Sequence, residues 1–402
     1  MVKSNFFPGQ PVFSQLLNLI PRHIIVDSAK EHRSNRYYKT FKAYDHLVTM
    51  LYACFHRCTS IREVVTGMQA NYNKLIHLGL STYPKRSTFA EANSARSPDF
   101  FEQLYHSLYN HYYKLLPDSR KKKQLESRLF LMDSTTISLF TDIMKGAGSP
   151  AADGKRKGGA KAHVLLNASQ NIPALIRLSH GARNDMIFMP DVDLPAGSVL
   201  VFDKGYHHFA RWQQWTERKI SWVTRLIDRE IIEVLQNNIV SDEQRTKGVC
   251  ADQRIILGRG TQKSTLRIKV RLITYQDPLS GKLFQFLTNN NHFNASTVAD
   301  LYKDRWQIEL FFKRFKQHNP LRYFLGDNEN AIKIQIWCAF ITDLLIKIIK
   351  DQLKRKWSFA NLSALIKHHL MNYLHLIRFL NNPEKDLIDK NSMTIAPELF
   401  DS

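Results

Sequence analysis

Hydrophobic positions along the chain change their period as it proceeds. Up to about residue 125 they recur at helical spacing, and the pattern predicts helices over 12–20, 43–55, 61–70 and 100–116. Ser60 stands before the third of these and Ser97-Pro98-Asp99 before the fourth, a hydroxyl cap and a proline in the first turn. Between them, Gly79 marks a turn ahead of Lys85-Arg86-Ser87-Thr88, which opens a short helix. The string fits a helix-turn-helix-like unit in which Lys85 and Arg86 meet phosphate at a helix start. A helical bundle with a polar corner would read the same.

A basic linker at 117–123 leads into buried strands. The apolar run 128–136 closes on Asp133-Ser134-Thr135-Thr136, and the run 197–206 closes on Asp203-Lys204-Gly205. Aspartates where strands leave a sheet are placed as ligands at its carboxyl edge, and Asp is equally a turn residue. Between the two runs, Lys155, Arg156, Lys157 and Lys161 sit in a Gly-rich loop beside a strand at 162–167, as a phosphate contact or simply a hairpin tip. Strand character resumes over 171–178, and a Trp-bearing helix is expected over 210–218.

From 219 to 291 the period becomes two. Strands are expected at 220–226, 254–257, 266–275 and 282–288, with a turn at Ser280-Gly281. Arg267, Lys269 and Arg271 alternate with Leu266, Ile268, Val270 and Leu272, which predicts an antiparallel β insert with one basic face. Helical spacing returns over 328–380. The apolar run 339–349 is expected to be half buried against a neighbour, an opening for dimerisation.

One further stretch, 302–316, carries a narrower pattern. With Tyr302 at zero on a helical wheel, Arg305, Glu309 and Lys316 fall at ~300°, ~340° and ~320°. Leu301, Ile308, Phe311, Phe312 and Phe315 fill the adjoining arc. The mixed-charge strip is either a functional face or a solvated one with ion pairs three and four residues apart.

Composition narrows the choice. The chain has 402 residues and carries 57 Lys+Arg against 36 Asp+Glu, a net charge of +21. With 44% hydrophobic residues the charge does not signal disorder, so a polyanionic partner is expected, nucleic acid above all. The most apolar run, 336–349, is short and broken by Asp343 and Lys347, and the start of the chain lacks a signal-peptide core, so a cytoplasmic protein without membrane contact is expected. Cys54 and Cys58 flank His56, but no second Cys/His pair lies at a matching distance, and the four cysteines read as free thiols.

Asp133, Asp203 and Glu309 can then converge on one sheet edge. Phosphodiester chemistry on DNA uses divalent ions held by carboxylates, and three carboxylates without His or Cys suit Mg²⁺. Arg305 and Lys316 would hold neighbouring phosphates, the first as a fork and the second as a point charge, with Lys313 beside them. Tyr302 would donate a hydrogen bond or stack on a displaced base.

The spacing Tyr302-x2-Arg305-x3-Glu309-x6-Lys316 resembles the Y-(2)-R-(3)-E-(6)-K signature of the IS4 family of DDE transposases. Asp133 in Met-Asp-Ser-Thr and Asp203 in Phe-Asp-Lys-Gly-Tyr resemble that family's two catalytic aspartates; Lys204 stands where Arg is frequent. The resemblance implies an α/β fold, an RNase H-like mixed-sheet core interrupted by an all-β insertion, with helical domains at both ends. The corresponding division is 1–124 for DNA binding, 125–218 and 292–327 for the core, 219–291 for the insertion and 328–402 for a helical, possible dimerisation region.

It further implies cut-and-paste transposition on terminal inverted repeats through a hairpin end, by a homodimer in a synaptic complex with double-stranded DNA. Asp133, Asp203 and Glu309 would hold two Mg²⁺ ions, which Mn²⁺ can replace. Asp185, Asp191 and Asp193 are rivals for the second carboxylate, in turn-like contexts. Two other functions compete: a silent inverted-repeat binder, which should have lost a carboxylate, and a structure-specific nuclease, which needs no Tyr/Arg/Lys strip.

Overall fold

The helical stripes of the first hundred residues form α1 (Val12–Leu17), α2 (Arg22–Glu31), α3 (Ala43–His56), α4 (Ile61–Ala70), α5 (Arg86–Ala95) and α6 (Asp99–Tyr113). The structure, a computed structural model, describes residues 9–113, 128–138, 159–227, 230–259 and 267–384. Ser60 accepts a hydrogen bond from the Glu63 amide at the start of α4, as its position before the apolar stripe predicts. The segment Tyr72–Leu78 is a 3-10 helix rather than an α-helix and ends at Gly79, whose φ of 74° is one that side chains resist. The stripe over α2 was not predicted, because two cations, two acids and a histidine dilute its apolar positions.

The sheet unit, Asp118–Arg314, is a separate compact body. Its strands are β1 (Leu129–Ser138), β2 (Gly159–Asn167), β3 (Ile172–His180), β4 (Val199–Phe202), β5 (Ser221–Arg225), β6 (Glu230–Asn237), β7 (Val249–Arg259), β8 (Arg267–Gln276) and β9 (Leu283–Thr288). Among the described residues they make one sheet in the order β3-β2-β1-β4-β5-β9-β8-β7-β6. β1, β4 and β5 run parallel to one another, and the remaining pairs are antiparallel.

The period-two strands therefore do not form a sheet of their own. β9 pairs with β5, and a single core joins Phe202, Trp212, Trp215 and Trp222 to Leu257, Val270 and Leu287. Alternation reveals which face of a strand is buried but not which strand lies beside it. The expected basic face of β8 is also incomplete. Arg267 and Lys269 are exposed, whereas Arg271 is buried, its guanidinium donating to both Asp252 oxygens at 2.8 and 2.6 Å and to the Phe293 carbonyl at 2.6 Å. The sheet unit also holds α7 (Phe209–Glu217), α8 (Asp242–Thr246), α9 (Ala295–Asp304) and the first turns of α10 (Trp306–His318).

The remaining helices, α11 (Glu329–Gln352), α12 (Phe359–His369) and α13 (Leu376–Asn381), join α1–α6 in the second compact body, Met1–Pro117 with Phe315–Ser402. α11 is apolar over most of its surface and forms its centre, covered by α3, α5, α6 and α12. Ile336, Trp337, Ile341, Leu345 and Ile349 are fully buried there. The apolar run 339–349 is thus not an open face awaiting a second chain, as its sequence suggests; its own unit covers it. Cys54, Cys58 and Cys338 are buried free thiols, and Cys250 is an exposed one.

Candidate active site

Strand register brings the two aspartates together. β1 and β4 run parallel with Met132 beside Phe202, so Asp133 continues β1 just where Asp203 follows the last residue of β4. Asp133 is not at the end of its strand, contrary to the sequence reading. β1 continues to Ser138 because β2 keeps supplying antiparallel partners, while β4 stops at Phe202 and leaves the other edge of β1 open. The opening lies where the carboxylates stand.

Glu309 comes from α10. The stretch 302–316 is not one helix: α9 ends at Asp304, α10 begins at Trp306, and Arg305 is the joint. There the Arg305 amide donates to the Tyr302 carbonyl and the Ile308 amide to the Arg305 carbonyl, both at 3.1 Å, a tighter 3-10-type turn than the wheel assumed. The apolar arc is buried as expected, with Leu301, Ile308, Phe311, Phe312 and Phe315 all at or below 6% exposure.

Arg305 links the acids. Its Nη1 donates to Asp133 Oδ2 at 3.2 Å and its Nη2 to Glu309 Oε1 at 2.6 Å. Its Nε is buried without a partner, and the guanidinium lies 5.7 Å from the centre of the Tyr302 ring. Tyr302 is itself buried against Phe286, and its hydroxyl donates to Asp203 Oδ1 at 3.1 Å. In this arrangement the phenol holds a carboxylate and is not displayed for a base. Burial pushes the Tyr302 hydroxyl up to about 12.

Burial also raises the Asp133 carboxyl to about 6. The Ser134 amide and Arg305 oppose the rise, and the charges of Asp203 and Glu309 add to it, so both acids act on Asp133 through space. For Arg305 burial works against the charge, but the Glu309 hydrogen bond and the surrounding acids hold the guanidinium above its ordinary range.

A further network supports this edge, one that no local pattern signals. Ser134 Oγ donates to Asp185 Oδ1 at 2.7 Å, and Lys161 Nζ donates to the same oxygen at 3.2 Å. Lys161 lies in β2 rather than in the basic loop and is engaged with Asp185 and the Arg183 carbonyl. The rivals of Asp203 are committed elsewhere: Asp185 to this network, Asp191 to Arg177 at 2.6 Å and Asp193 to Arg218. Only chain return over long separations makes these pairs.

Other expected contact residues lie apart. Lys313 is exposed on α10, and Lys316 is exposed further along the same helix, in the stretch that belongs to the helical unit. Lys85 and Arg86 are exposed at the start of α5, also in the helical unit. Lys155, Arg156 and Lys157 fall outside the described residues.

The acids offer hard oxygen donors and nothing soft, which suits Mg²⁺ or Mn²⁺. Burial is the main cause of the raised Asp133 carboxyl, with the charges of Asp203 and Glu309 adding to it. Among the described residues, however, no three His, Cys, Asp or Glu side chains stand close enough together to hold an ion as placed. The bridging position between Asp133 and Glu309 belongs to the guanidinium.

A mixed sheet with acids brought to one edge does not by itself name a function, and similarity to known proteins narrows the choice. Residues 124–342 match the family model described as Transposase DDE domain, and the chain belongs to that family. Residues 8–81 match a domain of unknown function, DUF4372. The relative y4zB of Sinorhizobium fredii, which carries a transposase name, is 29% identical over 265 residues, 66% of this chain and 71% of that one. Two others are named for insertion sequence elements. The IS5377 relative from Geobacillus stearothermophilus is 29% identical over 59% of this chain and 61% of its own. The IS4SA relative from Synechocystis is 26% identical over 65% and 71%. A cryo-EM structure of the piggyBac transposase synaptic complex with hairpin DNA aligns over 97% of this chain and 86% of that one, at 11% identity and a TM-score of 0.38, too low to argue from.

Proposed function

We propose that this chain is the transposase of an insertion sequence of the IS4 type, cutting DNA at terminal inverted repeats and joining the freed end to target DNA. The observation that carries the reading is the Arg305 bridge. It joins Asp133 to Glu309 across 172 residues of chain between Asp133 and Arg305, with Asp203 just past the end of the neighbouring strand. The family match and the insertion-sequence names of relatives support the same reaction class.

Asp133, Asp203 and Glu309 would hold the divalent ions, two Mg²⁺ or Mn²⁺ in place of them. Bound there, such ions polarise the scissile phosphate and activate water or a 3′-hydroxyl. Tyr302 keeps the Asp203 carboxylate oriented through its hydroxyl. The Ser134 amide does the same for Asp133, and Asp185 anchors the Ser134 side chain. The Arg305 fork is shaped to take a phosphate, with Lys313 and Lys316 further along the helix and Lys85 and Arg86 as contacts to the repeat. We read β1–β4 and the 292–327 stretch as an RNase H-like core, the strands from β5 to β9 within 219–291 as its insertion, and the hairpin intermediate and synaptic homodimer as the pathway.

The test is a labelled inverted-repeat end incubated with the full chain and Mg²⁺. Nicks, hairpins and joined products are expected, and Glu309→Gln should abolish all three while keeping end binding. Cleavage by that variant at the unsubstituted rate would remove Glu309 from the reading. Cleavage without any joined product would favour a plain nuclease.

A further inference from the structure

Arg305 stands where its expected partner does not. A phosphate-binding arginine would extend toward solvent, yet both terminal nitrogens here are spent on the two acids that a metal would need. Its side chain is only 15% exposed. Its Nε has no acceptor, so the guanidinium is held by the carboxylates and the Tyr302 face and by little else. It sits at the joint between α9 and α10, in the 3-10-type turn made by the Arg305 amide and carbonyl. The group is therefore both well paired and incompletely satisfied.

We propose that Arg305 is an internal counter-ion that occupies the cation position between Asp133 and Glu309 and yields it when DNA arrives. This rests on the three-acid reading above. A divalent ion entering between the same carboxylates would lose their two hydrogen bonds to the guanidinium and face its charge, so ion and arginine compete. A DNA phosphate offers Arg305 an equivalent bidentate partner. Each event then favours the other, and by linkage the coupling is reciprocal: DNA tightens metal binding by the factor by which metal tightens DNA. The arrangement would keep an idle enzyme from loading metal away from its substrate.

The test measures Mn²⁺ binding to the full chain by electron paramagnetic resonance of the free ion, first without DNA. Arg305→Ala and Arg305→Gln should bind Mn²⁺ about tenfold or more tighter than the unsubstituted chain, the scale of one lost charge-assisted contact. The glutamine variant keeps side-chain bulk should alanine fail to fold. Equal or weaker affinity in a folded variant overturns the counter-ion role. Adding Asp133→Asn separates the two ideas. If Asp133→Asn alone weakens Mn²⁺ binding while the Arg305 variants gain nothing, only the counter-ion fails. If the Arg305 gain survives Asp133→Asn, the three-acid reading fails with it. A duplex of the element's end should tighten Mn²⁺ by a larger factor on the unsubstituted chain than on Arg305→Ala; equal tightening in both also overturns the proposal.

Discussion

Replacing Asp133 with Asn should strengthen the sheet unit at neutral pH while removing its chemistry. Burial, with help from Asp203 and Glu309, raises this carboxyl from 3.8 to about 6, despite the Ser134 amide and the Arg305 ion pair. The folded form thus holds the proton more tightly than the unfolded chain does. Stability from this group is fully present below the unfolded value and is lost as pH rises toward the folded one. A difference of roughly two units corresponds to about 3 kcal/mol. Because the shift already includes the Arg305 contact, it is the net cost of ionising Asp133 in place.

Asparagine is neutral at every pH and nearly isosteric with the protonated acid. The variant should therefore gain up to about 3 kcal/mol near pH 7.5 and almost nothing near pH 4. Urea unfolding in EDTA, followed by tryptophan fluorescence with Trp337 and Trp357 of the helical unit replaced by Phe, reads the right body, since Trp212, Trp215 and Trp222 are buried in the sheet core. A variant no more stable than the parent at neutral pH would refute the reasoning. So would a gain of equal size at both pH values, because it could not come from a titrating group.

Three further outcomes follow from other parts of the molecule. Tyr302→Phe deletes the hydroxyl that holds Asp203 and should slow cleavage about tenfold with end-DNA affinity unchanged; gel-shift and cleavage assays on the same preparation check this, and lost binding with normal cleavage would contradict it. Lys85→Ala with Arg86→Ala should weaken end binding and lower the slope of log affinity against log salt by about 2 if both side chains meet phosphate; an unchanged slope would move the contact elsewhere. Gly248 has a φ of 98°, and a Cβ there would come 2.2 Å from the Gln276 carbonyl oxygen, so Gly248→Ala should destabilise the sheet unit by roughly 2 kcal/mol or more in the same urea assay.

Much of the architecture was legible because it depends on spacing along the chain. The stripe behind Ser60 predicted α4 to the residue, and the alternation over 266–275 predicted β8 within a position of its bounds. β6 escaped notice because an edge strand with Val234 and Leu235 half exposed shows neither period well. The spacing of Tyr302, Arg305 and Glu309 was visible too, since residues three and four apart on a helical stretch share a face whatever surrounds them.

By itself, then, the sequence determined which elements form, which of their faces are apolar and which acids and cations are available at the candidate site. Tertiary structure alone decided that β9 lies beside β5, that Arg271 is buried on Asp252, that α11 is covered within its own unit, and that Arg305 lies between two acids. The reason is range. Local periodicity and capping act within a few residues, whereas each of these outcomes depends on segments far apart in the chain meeting in one place. There burial and charge, and no longer spacing, choose the partner.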